Sequence, residues 1–279
     1  MTGFLLVDKP RGPTSHDVVA RVRKALNVKR VGHAGTLDPL ASGLLVIAVG
    51  PATRLLRFVQ DLPKTYDVTA VLGVTTTTLD AQGEIVSRSE VTATPDEIRR
   101  AAAELTGEID QIPPAVSAIK IGGERAYKRA RRGEDVDMPS RRVTVYSFEV
   151  RRTSPDAFEA RISCSSGTYI RSLIADVGTK LGSGAHVGHL RRIQIGNFHV
   201  NDAVKIEDLS DAAVMPIEDA LSHLPRVDVD AERAVLARNG RSIESDVADG
   251  ETLVVGPDGA VGVFEARGGV LRPVTVVGT

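Results

Sequence analysis

Residues 32–39 read Gly32-His33-Ala34-Gly35-Thr36-Leu37-Asp38-Pro39, the densest cluster of unusual residues in a chain of 279. The two glycines admit positive φ and let another backbone or a ligand approach closely, while Pro39 restricts the residue that bears the carboxylate. An aspartate fixed in this way can serve as a nucleophile or a base; in an ordinary turn the same residue caps its own backbone. His33 taken alone reads as a surface or structural histidine. No second histidine or carboxylate stands at a metal-ligand spacing from it, which argues against a zinc site.

Working outward, Thr14 followed by Asp17 forms a capping-box pattern, and Val18, Val19, Val22 and Leu26 recur at helical spacing, so the sequence predicts a helix over 15–26. Gly43 and Gly50 bracket a continuous apolar run that reads as a buried strand, which makes 32–39 a loop between a helix and a strand. Thr65 to Val74 is rich in β-branched residues and is followed by the turn Asp80-Ala81-Gln82-Gly83. Thr94-Pro95-Asp96-Glu97 supplies a cap, a first-turn proline and a capping acid to an apolar face of Ile98, Ala101, Ala102 and Leu105 that Gly107 ends. A basic helix is expected over 124–132, strands over 142–150 and 158–164, and a helix over 169–181. This mixture is α+β with a large sheet. Beyond Pro225, a short helix at 231–238 and strands at 252–255, 261–265 and 270–277, separated by glycine turns, predict a small β-rich domain. The expected domains are therefore 1–224 and 225–279.

Composition limits the function classes. Hydrophobic residues make up 42% and charged residues 25%, enough for a proper core, and 35 basic against 36 acidic side chains remove overall basicity as an argument for nucleic acid. The charge is segregated, however: residues 1–201 hold 28 basic and 21 acidic side chains, 202–224 one and six, and 225–279 six and nine. Lys120, Arg125, Lys128, Arg129, Arg131 and Arg132 concentrate positive charge in one window suited to a phosphate backbone, although such runs are usually a solvated face. The longest apolar run, Leu44 to Val49, is too short to cross a bilayer, and the N-terminal apolar stretch is interrupted by Asp8 and Lys9. With a single cysteine, Cys164, the chain is expected to be cytoplasmic and without membrane association. Aromatic residues are scarce, tryptophan is absent, and each of the four tyrosines is a candidate for base stacking.

Taken together, residues 32–39 resemble the signature loop of the TruB type of transfer-RNA pseudouridine synthases, Gly-His-x-Gly-x-Leu-Asp-Pro, with every fixed position present. The resemblance continues in order through Asp8-Lys9-Pro10 with Gly12 and Ser15, Lys64-Thr65-Tyr66, Ile112-Pro113-Pro114 with Ser117-Ala118-Ile119-Lys120, Cys164 to Arg171, and Gly184 to Val187 leading into Leu190-Arg191-Arg192. It implies a pseudouridine-synthase catalytic domain, a mixed, largely antiparallel sheet flanked by helices, with a C-terminal β-rich domain that is PUA-like in some relatives. It also implies isomerisation of uridine 55 in the T-loop of transfer RNA, with the nucleotide flipped out of its stack. In that reading Asp38 attacks the target nucleotide and Arg171 pairs with it. Tyr66 lies against the uracil and is a candidate for proton handling at C5, while Tyr169 and Leu190 line the base and ribose site. His33 enters the space that the flipped nucleotide leaves, and Lys9 and Lys120 support nearby loops or phosphates. The reaction needs no metal, nucleotide triphosphate or other cofactor; the partner is the T-arm stem-loop, and the expected state is a monomer. Two other classes compete. A non-catalytic RNA-binding protein with this fold would not need Asp38, Tyr66 and Arg171 together, and a glycoside hydrolase or nucleosidase would normally require two facing carboxylates where the matched segments offer one.

Overall fold

The computed structural model describes residues 1–116, 120–121, 124–125, 129, 132, 134 and 138–277. The chain divides into two compact units, one formed by 1–39, 43–62 and 196–279 and the other by 40–42 and 63–195.

The first unit opens with strand β1 (Gly3–Lys9), helix α1 (Ser15–Ala25), strand β2 (Val31–Ala34), strand β3 (Ser42–Val49), a 3-10 turn (Gly50–Leu55) and the short helix α2 (Leu56–Gln60). α1 begins where the capping pattern predicts. Thr14 Oγ1 accepts from the amide of Asp17 at 3.1 Å, and Asp17 Oδ2 accepts from the amide of Thr14 at 2.7 Å. Its Val18, Val19 and Val22 pack on Leu5 and Val7 of β1 and on Leu45, Ile47 and Val49 of β3, each valine contributing about 1.5–3 kcal/mol on burial. β3 is buried along its whole length and pairs antiparallel with both β1 and β2.

The second unit runs through β4 (Lys64–Leu72), the ribbon β5 (Val74–Thr76) and β6 (Ile85–Arg88), α3 (Pro95–Ala103), β7 (Gly107–Gln111), the pair β8 (Lys120–Ile121) and β9 (Glu124–Arg125), β10 (Arg141–Ser154), β11 (Ala157–Cys164), α4 (Ile170–Lys180) and β12 (Ala185–Ile195). Its strands pair antiparallel in the order β12-β4-β11-β10-β7. β4 alternates strictly, burying Lys64, Tyr66, Val68, Ala70 and Leu72, and α4 packs against β12. The capping box at Thr94 and Glu97 starts α3 as expected.

The chain then returns to the first unit through β13 (Phe198–His199) and β14 (Val204–Lys205), the latter parallel to β1. After the short helix α5 (Ile217–Ala220) come β15 (Arg226–Asp228), α6 (Ala231–Arg238), β16 (Ile243–Glu244), β17 (Gly250–Gly256), β18 (Gly259–Arg267) and β19 (Val270–Val276). These last strands form a five-stranded sheet, β15-β17-β18-β19-β16, over a core that includes Ala234, Ala237, Val254, Val261 and Phe264. The α+β class and the mixed, largely antiparallel pairing agree with the sequence reading. Compactness follows a different line from the 224/225 division, which marks where the small sheet begins.

Several elements differ from the sequence reading. β1 and β12 are strands that it did not anticipate, and the first three residues of the 32–39 stretch are strand rather than loop, because Val31–Ala34 pairs with Val46–Val49. The expected basic helix over 124–132 starts differently: Glu124–Arg125 is a strand paired with Lys120–Ile121, and most of the remainder lies outside the described residues.

Candidate active site

Asp38 is half-buried in the three-residue connection after Gly35, and both flanks of that connection are fixed by the turn before α1. Ser15, the first residue of α1 and fully buried, accepts from the amide of Leu37 at 2.9 Å and donates to its carbonyl at 3.1 Å. The amide of Gly12 donates to the carbonyl of Pro39 at 2.8 Å. One segment therefore grips the backbone on each side of the carboxylate. Gly35 takes a φ of +80°, as the turn requires. At Gly32 a Cβ would stand 2.7 Å from Leu56 Cδ1, the end of a side chain that would have to turn aside. His33, on β2, meets His16 of α1 edge to face, with ring centroids 5.5 Å apart. Lys9, 0% exposed, donates from Nζ to the carbonyls of Pro10 at 3.0 Å and Pro13 at 2.8 Å. It thus supports the same turn, a role that fits loop support better than phosphate contact.

The second unit holds Tyr66, Tyr169, Arg171 and Leu190. Tyr66 lies on the buried face of β4, and Leu190 of β12 sits across from Val68, the next residue of that face. Directly opposite Tyr66 is Arg192, 1% exposed and the largest fully buried side chain in the protein among the described residues. Tyr169 caps α4, and the Arg141 guanidinium lies 5.7 Å from its ring centroid, within cation–π range.

Arg171 is buried in the first turn of α4. Its Nη1 donates to the carbonyl of Thr78 at 2.8 Å and its Nη2 to the carbonyl of Val116 at 3.0 Å. Nη1 also stands 3.5 Å from Asp80 Oδ2, both side chains being 6% exposed. Asp80 was legible in the sequence only as a turn residue, and it is that too, its Oδ1 accepting from Thr78 Oγ1 at 2.6 Å and from the amide of Gln82 at 3.0 Å. Leu79 beside it has a φ of +61°, a left-handed conformation rare for a branched side chain and one that gathers at functional loops. Hydrogen bonds from Val187 N to Leu79 O (3.1 Å) and from Ala81 N to Val187 O (2.9 Å) fasten this loop to β12 three residues before Leu190. Within its own unit, then, Arg171 is a buried cation with a carboxylate partner that the sequence reading did not name. A buried guanidinium with one carboxylate and two carbonyls around it is held in a fixed orientation.

The side chain of Lys120 lies outside the described atoms; its backbone belongs to β8. Cys164 is 0% exposed, and burial pushes its thiol up to about 11, consistent with core packing. Among the described residues no group of three or more His, Cys, Asp or Glu could hold a metal ion.

Residues 23–170 match the sequence model of the TruB family pseudouridylate synthase N-terminal domain, just over half of the chain. The chain belongs to the TruB family. Residues 171–235 further match the tRNA pseudouridylate synthase B C-terminal domain. Relatives of this TruB chain include the tRNA pseudouridine synthase B of Thermobifida fusca (strain YX), 46% identical over 98% of each chain. That of Mycobacterium sp. (strain KMS) is 44% identical over 98% of this chain and 97% of the relative. Among solved structures, a Cbf5-Nop10-Gar1 complex contains a chain 28% identical with a TM-score of 0.76, covering 99% of this TruB chain and 84% of that one. An H/ACA RNP bound to a substrate RNA containing 2'-deoxyuridine has one 25% identical with the same TM-score, covering 99% and 85%.

Proposed function

We propose that the chain is a tRNA pseudouridine synthase that isomerises uridine 55 of the T-loop, with Asp38 as its catalytic carboxylate. The observation that carries the reading is the complete 32–39 motif held as a rigid presentation of Asp38, gripped at Leu37 by Ser15 and at Pro39 by Gly12, in a family whose full-length relatives bear that activity. Isomerisation breaks the bond from ribose C1′ to uracil N1, rotates the base, joins C1′ to C5, releases the C5 proton and leaves a proton on N1. The atoms balance without an oxidant or an energy source. An ionised carboxylate can open this sequence by attack at C1′, by addition to the ring or by removing a ribose proton. Arg171 is proposed to pair with Asp38 and aim it, Tyr66 to lie against the base and exchange the C5 proton, and Tyr169 and Leu190 to line the base and ribose. His33 is proposed to fill the space left by the flipped nucleotide.

The substrate is tRNA, and we propose the T-arm stem-loop as the part recognised, with the basic window around 120–132 contacting its phosphates. Residues 1–224 would act as the catalytic domain and 225–279 as a PUA-like RNA-binding domain, a proposal resting on position and on the separate five-stranded sheet. No helix among the described residues is long and apolar enough to cross a membrane. A monomer working in the cytoplasm is the proposed state.

The test follows tritium release from a T-arm stem-loop labelled at uracil C5. Wild type should release it, whereas Asp38→Asn should lose activity by at least about a thousandfold, the scale of losing a group engaged only in the transition state, and bind the RNA within about threefold of wild type. Binding without release by wild type, on the stem-loop and on full-length tRNA, would replace the enzyme reading with that of an RNA-binding protein.

A further inference from the structure

Gln111, the last residue of β7, is 1% exposed and carries its side-chain amide across to the start of α4. Its Oε1 accepts from the backbone amide of Tyr169 at 2.7 Å, and its Nε2 donates to the carbonyl of the same residue at 3.0 Å. One side chain therefore clamps both backbone polar groups of one residue 58 positions away in sequence. Tyr169 is the N-cap of α4 and makes no side-chain cap of its own, so the Gln111 amide holds the backbone at the point where the helix starts. The same rung contributes as well. Arg141 is the Cα partner of Gln111 in the β7–β10 pairing, and its guanidinium lies over the Tyr169 ring. Ser172 Oγ donates to the carbonyl of Ile112 at 2.8 Å, so the end of β7 and the first turn of α4 are joined at consecutive positions.

We infer that Gln111 is a positioning residue for the isomerisation, acting through Tyr169 by fixing the backbone from which that ring reaches the target nucleotide. The inference rests on the reading of Tyr169 as a residue lining the base and ribose site. A planar amide with one donor and one acceptor is the group that can satisfy an N–H and a C=O of one residue together. A methionine of similar volume satisfies neither and leaves the Tyr169 amide buried without its acceptor. The ring would then sample orientations that the clamp forbids, and displacements of about 1 Å at a reacting centre cost on the order of a hundredfold in rate.

The experiment measures single-turnover tritium release with enzyme in saturating excess over C5-labelled stem-loop, a rate constant that does not depend on the folded fraction of the preparation. Gln111→Met should lower it by about 10- to 100-fold, while the Kd for the RNA stays within about threefold of wild type. In a Tyr169→Ala background the same substitution should cost far less, because the ring whose orientation it governs is gone. A rate within about twofold of wild type, or losses from the two substitutions that simply multiply, would overturn the inference. Should Gln111→Met fail to fold, Gln111→Asn, one methylene too short to span both contacts, is held to the same criteria. Absence of release by wild type itself would sink the enzyme reading instead, and so the two failures are told apart.

Discussion

The pairing of Arg171 with Asp80 gives a single residue an effect on both fold and chemistry. Asp80 holds its own turn through Oδ1 and faces the guanidinium through Oδ2, so Asp80→Asn keeps the hydrogen bonds from Thr78 and Gln82 on its oxygen and sets an uncharged amide donor opposite Arg171 in place of the carboxylate oxygen. If the lost charge-assisted contact, about 1.5–3 kcal/mol, is felt in the transition state, kcat should fall by roughly 10- to 100-fold with RNA affinity unchanged. Tritium release and a filter-binding titration on the same variant check this. Asp38, Tyr66 and Arg171 stand out as candidates in the sequence because each lies inside an ordered run of matching segments. Asp80 and Gln111 do not, because their contacts with Arg171 and Tyr169 are made across long stretches of chain. A short motif gives no sign of such a partner. Lys9 shows the converse: the sequence marks it as notable, and only the buried contacts to Pro10 and Pro13 assign it to the turn.

Among elements, the helices were the easiest to read, since Thr14 with Asp17 and Thr94 with Glu97 announce their starts by local chemistry that the structure reproduces bond for bond. β3 was legible as an apolar run between glycines. β12 was not, because its bulges between Val187 and His189 and between Arg192 and Gln194 reset the alternation of buried and exposed positions that identifies a strand. β1 was missed for another reason: its partners β3 and β14 are supplied from distant parts of the chain, and Phe4-Leu5-Leu6-Val7 alone does not distinguish a strand from any short apolar stretch. At this scale the junction of α1 with the Asp38 loop makes its own prediction. Ser15→Ala leaves the buried amide and carbonyl of Leu37 without their partner, so stability should drop by about 1–3 kcal/mol in a denaturant titration. In the fraction that remains folded, kcat should fall more than affinity, as steady-state kinetics on the stem-loop would register.

At the scale of the molecule, segregated charge sets how binding responds to salt. RNA affinity should weaken linearly in log–log plots against KCl, and Lys120→Gln should reduce the slope by about 0.7–0.9 if that lysine neutralises one phosphate, with single-turnover kcat retained. Acid sensitivity has two windows. Desolvation pushes the pKa of half-buried His223 below its ordinary value, outweighing the backbone of Phe58 and the charge of Glu251. Its contribution is therefore present above the unfolded value near 6.5 and lost as pH falls through the lower folded one. The carboxyl of Asp67 is lowered by its hydrogen bonds from Arg161, both at 2.7 Å, so its contribution persists until pH falls below about 4. Thermal melts from pH 7.5 to 3 should show both declines, with His223→Gln flattening the first alone and Asp67→Asn the second alone. The course of the chain also governs its birth. The unit that begins with β1 is interrupted at residue 62 and resumes at 196, and the parallel neighbour of Val7 is Val204. A ribosome adding about 5–20 residues per second delivers that neighbour some 10–40 s after the strand it joins. The stretch 63–195 emerges whole in the interval, and β1 must wait through it with the hydrogen-bonding edge that β14 later pairs still open.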